Sequence, residues 1–188
     1  MARRRYFFDP PERFVAGTVG RPGDRTFFLQ AREGTRVVSI VLEKVQVAVL
    51  ADRLNELLSE LGRRGVAAAV AAEQTTPAED VGPLDEPLNE AFRAGSLTLG
   101  WDGEAGRVLV EARAQSEDGE GIDPDEDDDD DEDGPDLLRV MISADAARAF
   151  ISRATRIVGA GRTPCPLCGA PLDPQGHICP RRNGHYVN

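Results

Sequence analysis

Apolar and polar positions alternate through the first third of the chain in a way that marks strands. Residues 13–20, 26–32 and 35–43 form three such runs, separated by Arg21-Pro22-Gly23-Asp24 and by Glu33-Gly34, both turn sequences. They predict a three-stranded meander. In the third run Val37-Val38-Ser39-Ile40-Val41-Leu42 is apolar on both faces, so it belongs at the centre of a sheet. The period then changes: Leu50, Leu54, Leu57, Leu58 and Leu61 recur at i, i+4, i+7, i+8 and i+11, one side of a helix that Gly62 and Gly65 end.

Residues 66–90 shift to Ala, Thr, Pro, Asp and Glu, and Pro77, Pro83 and Pro87 interrupt any long element, so this stretch reads as a connector. Beyond it the pattern returns. Residues 95–101 and 107–113 predict a hairpin around Asp102-Gly103-Glu104-Ala105-Gly106, and 136–142 a third strand. Ser143 suits an N-cap with Asp145 in the first turn, and Ala147, Phe150, Ile151, Ala154, Ile157 and Val158 give a second helix its apolar face before Gly159.

The expected fold is therefore α+β, two β-β-β-α halves with mostly antiparallel sheet and helices on one face, plus a small tail. In domain terms, 1–65 is the first half, 66–90 the connector, 91–160 the second half and 161–188 the tail. Val19-Gly20 aligns with Leu99-Gly100, Ala31-Arg32 with Ala112-Arg113, and Ile40-Val41-Leu42 with Val140-Met141-Ile142, which suggests an internal duplication. Few of the aligned pairs are identical, and any two meander-plus-helix units share this much.

Charge changes the picture in one place. The net charge is −11, yet residues 117–136 hold fourteen Asp and Glu with no Lys or Arg, leaving the rest of the chain at +3. The nine consecutive carboxylates at 125–133 predict an extended, solvated and disordered acidic loop between two strands. It lacks the ligand spacing of an EF-hand. A docking arm for a basic partner is the functional alternative. No run approaches the roughly 20 apolar residues of a membrane span, and Tyr6-Phe7-Phe8 meets Asp9-Pro10-Pro11 too soon for a secretion signal, so the expectation is a cytoplasmic protein.

The chemistry sits in the tail. Cys165-Pro166-Leu167-Cys168-Gly169 has the form of a zinc knuckle, because a two-residue gap lets both sulfurs reach one ion. Cys179-Pro180 supplies a third ligand and tetrahedral Zn²⁺ needs a fourth, for which His177 and His185 compete. With four prolines, Pro166, Pro171, Pro174 and Pro180, and few apolar groups, the tail cannot fold unaided, which argues for a structural ion. A catalytic zinc would want a neighbouring general base, and 162–188 contains no Glu. A redox Cys-x-x-Cys is the alternative, but such motifs open a helix, and prolines surround this one.

Other chemistries fit less well. Gly17-Thr18-Val19-Gly20 lacks the Gly-Lys-Ser/Thr ending of a phosphate loop. Both histidines lie in the tail, so no Ser-His or Cys-His nucleophile pair can form in the main domain, and Lys44 is the sole lysine. Arg13, Arg21, Arg25, Arg36, Arg93 and Arg107 would make a phosphorylated-ligand site if they converged, giving a sensor or enzyme as the rival reading. Arg162, Arg181 and Arg182 beside the knuckle are a small footprint for nucleic acid, and the acidic loop repels phosphate.

Over nearly its full length the chain resembles an uncharacterised actinobacterial family catalogued as domain of unknown function 3090. The resemblance rests on Phe14-Val15-Ala16-Gly17-Thr18-Val19-Gly20, on Arg25-Thr26-Phe27-Phe28-Leu29-Gln30-Ala31, on Phe92-Arg93-Ala94-Gly95, and on the knuckle with Gly176-His177-Ile178-Cys179-Pro180-Arg181. The family pattern runs Asn-Gly-Tyr where this chain has Asn183-Gly184-His185, which favours His177 over His185 as the fourth ligand. Membership implies a cytoplasmic protein of unknown activity, encoded beside a phosphoinositide-kinase-like protein and a histidine phosphatase. The reading that follows is a non-enzymatic adaptor with a structural zinc tail and an unidentified protein partner.

Overall fold

The computed structural model describes residues 3–115, 134–161, 165–168 and 179. The alternating runs of the first half become β2 (Arg13–Arg21), β3 (Asp24–Glu33) and β4 (Arg36–Leu42). β2 and β3 pair antiparallel with Ala16 opposite Leu29, and β3 and β4 with Leu29 opposite Ile40. The tight β2–β3 turn requires glycine at its base: Gly20 has φ 103°, and a Cβ there would meet the Asp24 carbonyl oxygen at 2.2 Å.

The predicted helices and the second meander also form. They are α1 (Lys44–Arg63), β5 (Glu90–Asp102), β6 (Arg107–Ala114), β7 (Leu137–Ile142) and α3 (Ala144–Gly159). The Ser143 hydroxyl accepts a hydrogen bond from the Ala146 N–H at 3.1 Å and caps α3. Leu50, Leu54 and Leu58 of α1 and Ala147, Phe150 and Ala154 of α3 enter one core with alternate strand residues, among them Ala16, Leu29, Ile40, Val110 and Val140. The Phe14 and Phe150 rings stack at 5.1 Å, tying α3 to β2.

Two elements were not expected. β1 (Arg5–Phe8) is a strand because Arg5 to Phe8 pair with Leu137 to Val140, contacts that no local pattern announces. α2 (Ala67–Gln74) lies in the stretch read as a connector. Its run of alanines favours a helix, although it lacks a sustained apolar stripe, and Ala69 and Ala72 are buried.

The strands form one seven-stranded sheet in the order β1-β7-β6-β5-β4-β3-β2. It is mixed: β2–β3, β3–β4, β5–β6 and β6–β7 pair antiparallel, whereas β4–β5 and β1–β7 run parallel. The crossover through α1 and α2 returns the chain to the end at which β4 began, so β5 must enter parallel to it. β1 and β2 occupy opposite edges, yet only residues 9–12 join them. A flat sheet of this width would separate its edge strands by roughly 29 Å, whereas five residue steps reach about 17 Å at most. The sheet therefore coils strongly.

Both halves run meander then helix, but this shared connectivity does not support a duplication. β5 is thirteen residues long and slips register between Ala94 and Ser96, whereas β2 has nine residues and pairs with β3 without a shift. No helix among the described residues is long and apolar enough to cross a membrane.

Candidate metal centre

α3 ends at Gly159, and the described chain resumes at Cys165 with a turn over 166–168. That turn follows from the sequence, since Pro166 fixes its φ and a two-residue gap brings the second sulfur back beside the first. The backbone N–H groups of Cys168 and Leu167 bond to the Cys165 sulfur and hold its thiol below the ordinary range. Cys165 and Cys179 are buried and Cys168 is half-buried.

The three sulfurs lie within 4.8 Å of one another, and those of Cys165 and Cys179 are 3.9 Å apart. A disulfide would bring two sulfurs to about 2.05 Å. Four ligands at about 2.3 Å around a tetrahedral ion sit about 3.8 Å from each other. The spacing matches shared coordination of one metal ion. His177 and His185 lie outside the described residues, so Cys165, Cys168 and Cys179 are the members of the predicted ligand set that the structure brings together.

A sequence-family model described as a protein of unknown function (DUF3090) matches residues 6–179. The chain belongs to the DUF3090 family. The match takes in the sheet from Tyr6 onward, the helices and all three cysteines. No curated protein and no solved structure matches this DUF3090 chain.

The arginines that would have formed a phosphate site do not converge. Arg13 donates to Asp80 at 2.7 Å and to Asp85 at 2.6 Å. Arg36 donates to the Phe7 carbonyl at 3.0 Å and lies over the Phe8 ring, Arg93 pairs with Glu43 at 3.0 Å, and Arg107 pairs with Asp9. Arg25 lines a separate cleft of about 270 Å³ with Lys44 and Phe27. Arg21 ends β2 opposite Asp24, and Arg13, Arg36, Arg93 and Arg107 tie elements together at scattered points.

Most of the acidic loop, 116–133, lies outside the described residues; its C-terminal end does not. Asp136 accepts from the Arg4 backbone N–H at 2.7 Å and from Arg4 Nε at 2.8 Å, and its carbonyl accepts from the Ala114 N–H at 2.8 Å. The chain thus leaves the sheet beside β5, where the Gln115 N–H donates to the Arg93 carbonyl at 2.9 Å, and rejoins it beside β1.

Two polar clusters escaped sequence reasoning. Glu111, buried on β6, accepts from Arg113 Nε at 2.8 Å and from Arg139 Nε at 2.7 Å. Arg153, buried in α3, joins Asp80 and the carbonyls of Ala16 and Gly82. The one signal for Arg153 was a charge beside Phe150 and Ala154 on an apolar helix face. Its partners lie some seventy and more positions away and had no signal at all.

Proposed function

We propose that this DUF3090 protein is a non-enzymatic adaptor or regulatory binding protein, whose tail is folded by one structural zinc ion. Cys165, Cys168 and Cys179 supply three thiolates and His177 the fourth ligand, with His185 as its competitor. The convergence of three thiols at coordination spacing carries the reading. The burial of Cys165 and Cys179 supports a closed centre, as structural sites require. Because a tail this rich in proline has little core of its own, metal binding supplies its folding free energy.

The partner is a protein. The kinase-like and phosphatase neighbours implied by the family resemblance are the first to try, and the acidic loop is a candidate arm for a basic surface. Limited proteolysis tests the structural role. Chelation should open 162–188 to cleavage and leave the sheet's circular dichroism unchanged, and zinc should restore protection. Cleavage indifferent to chelator and zinc would remove the proposal. A pull-down of both neighbours, with and without 117–136, tests the arm; identical recovery would discard it.

A further inference from the structure

Among the described residues the second half of β5 has a strand on one side only. β4 meets β5 at Ser39 with Glu90 and at Val41 with Arg93, then ends at Leu42. β5 continues to Asp102, and from Ser96 onward its sole strand partner among the described residues is β6. In an antiparallel ladder alternate residues aim their N–H and C=O away from the partner. Along 96–102 those groups face a side that no backbone hydrogen bond from another described segment reaches.

The opening has a sharp start. Gln46, in the first turn of α1, donates through Nε2 to the Ala94 carbonyl at 3.1 Å, so helix and strand are fastened there. Immediately beyond, the register slip between Ala94 and Ser96 turns Leu97 and Leu99 toward the core side. A cleft of about 460 Å³ then separates α1 from β5, with Val49, Arg53 and Leu57 on the helix wall and Leu97, Thr98 and Leu99 on the strand wall. Val45 and Val49, one turn apart on α1, are 65% and 49% exposed, so this end of the helix carries apolar surface with no cover among the described residues.

The two walls specify the occupant. A row of unpaired main-chain donors and acceptors is satisfied in series only by another extended backbone, and an apolar helix wall takes the alternate side chains of that strand. Arg53 adds a charge preference. Its bond is to Glu56 at 2.8 Å, and both groups are about two-thirds exposed, so a peptide carboxylate can replace that weak pair. A second copy is less suited, because it would bring its own α1 to the same joint.

We propose that residues 96–102 accept an added β-strand from a partner protein, an extended peptide with apolar side chains at alternate positions and an acidic side chain at Arg53. This gives the adaptor reading a surface and rests on it, but it does not involve the metal centre. A panel of fluorescein-labelled seven-residue peptides, Val or Ile alternating with Thr and one Val or Ile replaced by Asp or by Lys, is titrated into the full ¹⁵N-labelled chain. Anisotropy and amide shifts are read together.

The expected result is saturable binding with shifts centred on 96–102 and 45–57, and Asp peptides preferred. N-methylation of alternate peptide amides should weaken binding at least tenfold. Val49→Asp should do the same at an unchanged unfolding temperature, and Arg53→Glu should reverse the Asp-over-Lys preference. Three results would overturn the proposal: no peptide of the panel perturbs these amides, N-methylated peptides bind equally well, or the free chain is a dimer with 96–102 protected from exchange. Persistence of zinc binding or of neighbour capture in those cases would show that the inference failed without the earlier reading.

Discussion

Arg153 of α3 meets Asp80 through Nη1 and Oδ1 at 2.6 Å, and its Nε reaches the Ala16 carbonyl, also at 2.6 Å. Arg13 of β2 holds the same carboxylate through Nε at 2.7 Å. One buried guanidinium thus joins a helix, the edge strand β2 and the segment around residue 80, and it uses the β2 edge that would otherwise lie open. Arg153→Ala should lower stability by about 3 kcal/mol, the order expected when one partner of a buried ion pair is removed. Arg153→Lys should recover little of it, because an ammonium cannot span the same acceptors. Urea unfolding of the three proteins measures both.

Acid should weaken the same clamp. Hydrogen bonds from Arg13, opposed by partial burial, hold the Asp80 carboxyl below its ordinary value. A carboxylate depressed in the folded state adds stability above its unfolded pKa, about 3.9. That contribution is lost as pH falls through the lower folded value. The stability difference between the wild type and Asp80→Asn should be full at pH 6 and shrink below about pH 4. A difference independent of pH between 2 and 6 would contradict the ionic role.

Gln30 holds the outer segment to the sheet. Its Nε2 donates to Ser39 Oγ at 2.9 Å and to the Asp85 carbonyl at 3.0 Å, and its Oε1 accepts from the Asp85 N–H at 2.8 Å. Gln30→Leu would leave an amide of the 85 segment without its partner in a half-buried setting, at a cost of about 2 kcal/mol. Amide exchange should rise at Asp85 and its neighbours more than in α1.

Local pattern revealed much of this molecule, and the reason is physical. β3, β4, α1 and α3 were legible because each buries a side chain at its own period, as Leu29, Ile40, Leu54 and Phe150 do. β1 and the parallel β4–β5 join were not, since Phe8 finds Val140 and Val41 finds Arg93 only after the chain has folded. The knuckle was legible from the spacing of Cys165 and Cys168. That Cys179 returns to within 3.9 Å of Cys165 depended on three-dimensional placement.

The metal centre has the most direct test. Zinc content is measured by mass spectrometry on the purified chain, on Cys179→Ser, on His177→Ala and on His185→Ala. One zinc per chain is expected for the wild type and for His185→Ala, with affinity reduced at least tenfold in Cys179→Ser and His177→Ala. A chain that takes up no zinc after thiol reduction, or that binds it unchanged without Cys179, would contradict the account.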